Sequence, residues 1–179
     1  GSLIPLYKNF NFSKLEINYK EHIPIYHNHT INSHIRIGTI LSPSVPDFFD
    51  FYLGGLVGMK AYPFYAISGN EVAWINLTYR FPLFKDIDAR MGWLYLDKVF
   101  LSLYGDYGNA WTGNRVEWKN FKKGAGAEIR LKFVSFYLFP TAVFFNASYA
   151  FDKYDRLVER GKTKTLVSYG KEWQLYGGI

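Results

Sequence analysis

The chain reads as an all-β protein, an antiparallel meander of about seven or eight strands. Three observations carry that reading. Two-residue alternation of apolar and polar side chains recurs many times, whereas helical periodicity is nearly absent. Aromatic residues make up 20% of the 179, and Tyr and Phe favour strands. One long stretch, Phe51–Glu71 (FYLGGLVGMKAYPFYAISGNE), breaks the alternation with four glycines, a proline and five aromatics. A segment of this length without periodicity is functional or disordered, and its aromatic content argues against disorder. It reads as a loop spanning about residues 49–71 that folds back into a single domain covering 1–179, with Lys60 in its middle.

The first strands are Lys14–Lys20, with Leu15, Ile17 and Tyr19 on one face, and Thr30–Ile40, with Ile31, Ile35 and Ile37 opposed to Asn32, His34 and Arg36. Pro24 and His27-Asn28-His29 between them read as a hairpin loop. Past the loop, Val72–Pro82 sets Ala73, Ile75, Leu77, Tyr79 and Phe81 against Asn76, Thr78 and Arg80. Phe84–Leu96 contains a turn at Lys85–Asp88 and is ambiguous beyond it. Val99–Gly108 alternates again, followed by a turn region at Gly108-Asn109 and Thr112-Gly113-Asn114. Gly124–Phe133 is the clearest strand, with Ala125, Ala127, Ile129, Leu131 and Phe133 against Glu128, Arg130 and Lys132. Phe139–Phe151 follows. Asp152–Thr165 reads as a charged loop, and Val167–Ile179 as the final strand.

Alternation alone admits two architectures. A soluble sandwich or calyx buries the apolar face; a membrane barrel turns it to lipid and encloses the polar one. Strand lengths near the ~9–11 residues of a membrane-spanning strand favour the barrel. So do small residues on the apolar faces (Ala73, Ala125, Ala127, Ala147) and aromatic clusters at Tyr62–Tyr65, Tyr104–Trp111 and Tyr149–Tyr154, placed as an interfacial girdle. The predicted class is therefore an antiparallel up-and-down transmembrane β-barrel with an inward-folded loop. No run approaches the ~18 apolar residues of a membrane helix.

Chemistry in the usual sense finds little support. Cysteine is absent, which excludes disulfides and thiolate metal sites. No Gly-x-Ser-x-Gly elbow, phosphate loop or HExxH occurs, and no enzyme activity is expected. The net charge of +6 is spread along the chain, unlike the clustered basic residues that bind nucleic acid. His22, His27, His29 and His34 lie close together, and His27-x-His29 would share a face on a strand, a spacing that can bind Zn or Cu. No acidic ligand is interleaved with them, so neither metal nor other cofactor is expected. Asn-x-Ser/Thr sequons at Asn11, Asn28, Asn76 and Asn146 read as chance occurrences on polar faces.

Four motifs in order carry a family resemblance. Leu53–Pro63, LGGLVGMKAYP, resembles the Gly-Gly then [Val/Leu]-Arg-Gly-[Tyr/Phe] loop of the bacterial surface antigen family of BamA-like insertases, TamA-type relatives and two-partner-secretion transporters. Leu77–Leu83 looks like that family's following strand, with Thr78 in place of its glutamate. Tyr104-Gly105-Asp106-Tyr107-Gly108 is similar to its aromatic-x-Asp-x-Gly strand, and Gly124-Ala125-Gly126 to the Gly-x-Gly that opens the next one. Ser168–Leu175 also resembles an outer-membrane assembly signal in a last strand, through Gly170, Trp173 and Leu175.

The resemblance implies an outer-membrane barrel of which this chain supplies the C-terminal half. The family's barrels have sixteen strands, too many for this length, so either a larger barrel, a small barrel or self-associating half-barrels are implied. It implies insertion, assembly or translocation of proteins or lipids without covalent chemistry. The implied partners are the lipid bilayer, substrate polypeptides, other outer-membrane or periplasmic proteins, and further copies that close the sheet. The alternatives are a small structural or adhesive outer-membrane barrel without a transport role, or a soluble β-calyx binding an apolar ligand. In the family, the loop arginine pairs with the strand aspartate. Here Lys60 and Ala61 replace its Arg-Gly, so Lys60 would meet Asp106 as a point charge without a bidentate fork, and Ala61 would be costly at positive φ. The implied lumen and loop network is Lys60, Tyr62, Arg80, Asp106, Glu128 and Arg130, with Gly54, Gly55 and Gly58 as loop glycines.

Overall fold

The computed structural model describes residues 12–41, 46–113, 115–135, 139–160 and 163–179, without the side chains of 91 and 156–165. It is all-β. Twelve strands run in chain order: β1 Lys14–Ile25, β2 His29–Ile40, β3 Phe51–Leu53, β4 Ile67–Gly69, β5 Glu71–Phe84, β6 Ala89–Met91, β7 Leu94–Trp111, β8 Lys122–Ser135, β9 Phe139–Ala150, β10 Tyr154–Arg160, β11 Thr163–Tyr169 and β12 Trp173–Gly178. The main sheet has the order β1-β2-β5-β7-β8-β9-β12, with β6 pairing onto β7, and its ladders are antiparallel.

The sheet is open. β1 and β12 lie at its two edges, so the described residues do not close into a barrel by themselves. That corrects the expectation of a self-contained small barrel. A β-hairpin excursion interrupts the meander twice: β3–β4 leaves and returns between neighbours β2 and β5, and β10–β11 between neighbours β9 and β12.

The alternating segments locate the main strands, though the strands are longer than the alternation suggests. β1 and β2 form one hairpin of 12 residues each, reversed at Tyr26–Asn28 by the positive φ of His27 and Asn28. β5 continues through Pro82, and its register on β7 shifts between Pro82 and Phe84, as expected where proline removes a ladder donor. Asp152–Thr165 is not a loop, since most of it forms the β10–β11 hairpin. The final segment is divided by a turn in which Gly170 and Lys171 take positive φ, and only Trp173–Gly178 pairs with β9.

Register reveals what each face carries. One cross-strand row reads Ile23, Ile31, Tyr79, Leu103, Ala127, Ala147, Leu175. The adjacent row, one residue along, reads His22, Asn32, Thr78, Tyr104, Gly126, Ser148, Gln174. The first row is apolar from edge to edge and the second is polar or glycine. A one-residue step exchanges faces in a pleated strand, so the sheet has one continuous apolar face and one polar face.

The apolar face is bare. Ile17, Ile37, Ile75, Leu77, Leu103, Ile129, Phe145 and Leu175 are all exposed. Large aromatics flank this band at both ends of the strands: Tyr26, Phe84, Trp93 and Phe139 at one, Trp118, Phe151 and Trp173 at the other, all exposed. Tyr62 and Tyr104, expected in that girdle, are buried on the other side. The polar face is covered over β7, β8 and β9, where it buries Ser102, Asp106, Glu128, Asn146 and Ser148, while β1 is exposed on both faces.

Candidate functional site

What covers the polar face is the segment between β2 and β5. Its ends zip together as β3 and β4, with Phe51 opposite Gly69 and Leu53 opposite Ile67. The tip is a chain of tight turns. The Gly55 N–H donates to the Tyr62 carbonyl (2.8 Å), the Tyr62 N–H to Met59 (3.0 Å) and the Ala66 N–H to Pro63 (3.2 Å). Gly54 and Gly55 have φ of +119° and +78°, which glycine alone adopts without strain. Gly58 has no positive φ, but a Cβ there would approach the Gly54 nitrogen to 2.9 Å.

Phe51, Leu53, Met59, Ala61, Tyr62, Ala66 and Ile67 form one buried cluster with Ile40, Val72, Trp74, Ala110 and Ala150 from the sheet. At ~25 cal/mol per Å2 of apolar surface, this patch is the principal attraction holding the segment on the sheet. Fit is as important as area. A Cβ on Gly124 would meet the Ala61 Cβ at 2.7 Å, and one on Gly38 would meet the Phe51 ring at 2.5 Å. The sheet glycines therefore make room for the loop. Ala61 lies outside the positive-φ residues; the non-glycine exception in this segment is Tyr65, at +60°.

Polar anchors surround the apolar patch. The Ser148 hydroxyl donates to the Lys60 carbonyl at 2.9 Å. The Tyr62 hydroxyl, on a fully buried side chain, lies 3.2 Å from the Lys123 carbonyl and 3.1 Å from that of Asp152. Burial pushes its pKa well above the ordinary tyrosine value. On the β2 side, Arg36 donates to the Tyr52 carbonyl at 3.3 Å.

Lys60 reaches down to Glu128, not to Asp106. Its ammonium is 3.2 Å from Glu128 Oε2 and 4.6 Å from the Tyr104 ring centre. Glu128, almost fully buried, also takes Arg130 Nη2 at 2.8 Å on its other oxygen. Asp106 instead accepts from Trp74 Nε1 (3.1 Å) and Asn76 Nδ2 (2.9 Å), both on Oδ1. Its other oxygen is buried without a hydrogen-bond partner. Among the described ion pairs, Lys60 and Asp106 do not form one. Within the expected network the direct ion pairs are thus Lys60–Glu128–Arg130, and Lys60 acts on Asp106 without a direct ion pair. The cause is register: Asp106 and Glu128 both face inward on neighbouring strands, and the loop tip sits against Ser148, nearer Glu128.

Of the residues expected to act together, Lys60, Glu128 and Arg130 converge, Arg80 stands beside them bonded to Ser102 Oγ at 3.0 Å, Asp106 lies within reach of the Lys60 charge without an ion pair to it, and Tyr62 is a separate anchor. Sequence reasoning missed Ser148, Trp74 and Asn76. The alternation that puts them on the polar face is the signal that could have found them.

The remaining expectations resolve locally. His27 lies in the β1–β2 turn, not on a strand, so it shares no strand face with His29, which approaches Tyr79 and stacks on Phe81. His22 hydrogen-bonds Asn32, and His34 sits edge-on to Trp74. No group of three His, Cys, Asp or Glu suited to a metal ion occurs among the described residues. Asn76 and Asn146 sit on the covered face, Asn28 is in the turn, and Asn11 and Asn114 lie outside the described residues. Ser168–Leu175 is not one strand: Gly170 is in the turn, while Trp173 and Leu175 lie exposed on β12. No family model, no curated protein and no solved structure matches the chain.

Proposed function

We propose that the chain is part of a bacterial outer-membrane β-barrel of BamA-like type, acting in insertion, assembly or translocation of polypeptides or lipids. One observation carries this: the sheet is inside-out for a water-soluble protein, its continuous apolar face bare and its polar face covered by the chain's own loop. A calyx would do the reverse. Aromatics at both ends of the apolar band are where a barrel keeps its interfacial girdles, and β1, β2, β5, β7, β8 and β9 have 12 to 18 residues each, enough to cross a bilayer core.

Unpaired edges are not viable in lipid. Further strands, from the same polypeptide or another copy, therefore complete the wall from β1 and β12. The loop stands in the lumen as a plug, and the work is done by wall and channel with no covalent step. A structural barrel without transport uses the same wall, and conductance across planar bilayers separates the two. The membrane reading itself is tested by purification and reconstitution: the folded chain requires detergent and enters phospholipid vesicles. A monodisperse, folded species in plain buffer would sink it.

A further inference from the structure

A second feature of the polar face lies away from the loop, at the end of the sheet near the β1–β2 turn. There a cavity of about 200 Å3 is lined by His22, Asn28, Thr30, Arg80, Phe100, Arg130 and Lys132. These residues come from β1 through β8, four ladder steps apart, so the sheet bends over its polar face to bring them round one space. The lining is cationic and lacks matching acids. Glu128 is already shared between Lys60 and Arg130. Neither Arg80 nor Lys132 has an acidic partner among the described ion pairs. Lys132 lies 5.0 Å from the Phe100 ring centre, and Arg80 gives its Nε to Ser102.

Two polar atoms in the lining, Thr30 Oγ1 and Arg130 Nε, are buried without a hydrogen-bond partner. Buried donors left unmade are rare in native proteins and call for a partner. We infer that this cavity binds a phosphate group. Two guanidinium groups, an ammonium and a hydroxyl present more donors than the two oxygens of a carboxylate can accept. A phosphate offers a higher charge and more acceptor oxygens, and arginine is suited to bidentate contact with it. The space also fits, since one water's share of liquid is ~30 Å3 and the cavity exceeds it several-fold. The site stands on the polar face alone and does not depend on what meets the apolar one.

The test is titration of the folded chain, held in a maltoside detergent free of phosphate, with inorganic phosphate followed by calorimetry. Saturable binding is expected, weakened at least about ten-fold by Arg130→Gln and by Lys132→Gln. Lys132 is exposed, so its replacement keeps the test valid if the Arg130 variant fails to fold. Absence of saturable binding, or equal binding by folded Lys132→Gln, overturns the site. A second arm adds phosphatidic acid to the micelles, with phosphatidylcholine as control. Displacement of inorganic phosphate by phosphatidic acid identifies a lipid headgroup as the source, and displacement by neither lipid identifies the free ion. Equal displacement by phosphatidylcholine would reject recognition of the phosphate monoester.

Discussion

Gly124 and Ala61 touch so closely that a single added carbon on Gly124 would fall 2.7 Å from the Ala61 Cβ. One residue is in the sheet and the other at the tip of the loop, so this contact measures whether the loop is seated. Gly124→Val forces the loop or the strand to shift and is expected to cost about 1–3 kcal/mol, the usual range for overpacking. Gly105→Ala is the control, because its new Cβ meets nothing nearer than 3.9 Å. Urea unfolding and protease cleavage within residues 54–65 should both respond to the first change and ignore the second.

Lys60 and Glu128 are expected to be coupled. In a double-mutant cycle with Lys60→Gln and Glu128→Gln, the interaction energy should fall in the ~0.5–3 kcal/mol range of residues in one network. Reversing both charges, Lys60→Glu with Glu128→Lys, should recover part of what either loses alone. Better recovery from a Lys60→Asp, Asp106→Lys swap would show that the pairing observed here is the wrong one.

Leu103 distinguishes a lipid-facing wall from a wet one. It is 47% exposed in the middle of the apolar band. If lipid covers that band, Leu103→Arg costs about 2–4 kcal/mol near the bilayer midplane. If water does, the change stays within about 0.5 kcal/mol, as for an ordinary surface site. Equilibrium unfolding from phospholipid vesicles gives the number directly.

Tyr62 supplies a pH dependence. Its pKa is raised by burial, so the folded state keeps the phenol proton after the unfolded chain has lost it. The stabilisation is complete below the unfolded value of about 10 and declines as pH rises from there toward the folded value. Tyr62→Phe should lose about 1–3 kcal/mol at neutral pH, because the one hydroxyl proton shared between the Lys123 and Asp152 carbonyls is gone, and it should lose less than wild type on going from pH 9 to 11. Parallel alkaline profiles would contradict this.

Much of the sheet was legible in the sequence because β2, β5, β7, β8 and β9 each have one apolar and one polar face, and alternation is visible wherever the faces differ. β10 and β11 were not. Asp155, Arg156, Glu159, Arg160 and Lys164 load that hairpin with charge, which hides any two-residue period. Lys60 could be placed on the polar side, yet its choice between Asp106 and Glu128 depends on how far the loop tip travels across two strands, a distance that composition does not encode. Nor could alternation say which face is covered. That follows from the tertiary position of the loop.

The ends of the loop that covers the polar face are fastened to β2 and β5, which are neighbours in the sheet. Its departure would break the contacts around Phe51, Met59 and Ser148 without opening a rung of the main ladder. Such a departure and return would be unimolecular, independent of protein concentration. A short tether also keeps the detached segment at high effective concentration near its seat. A segment so tethered would return to its seat ahead of any freely diffusing group at lower effective concentration that binds the same part of the polar face.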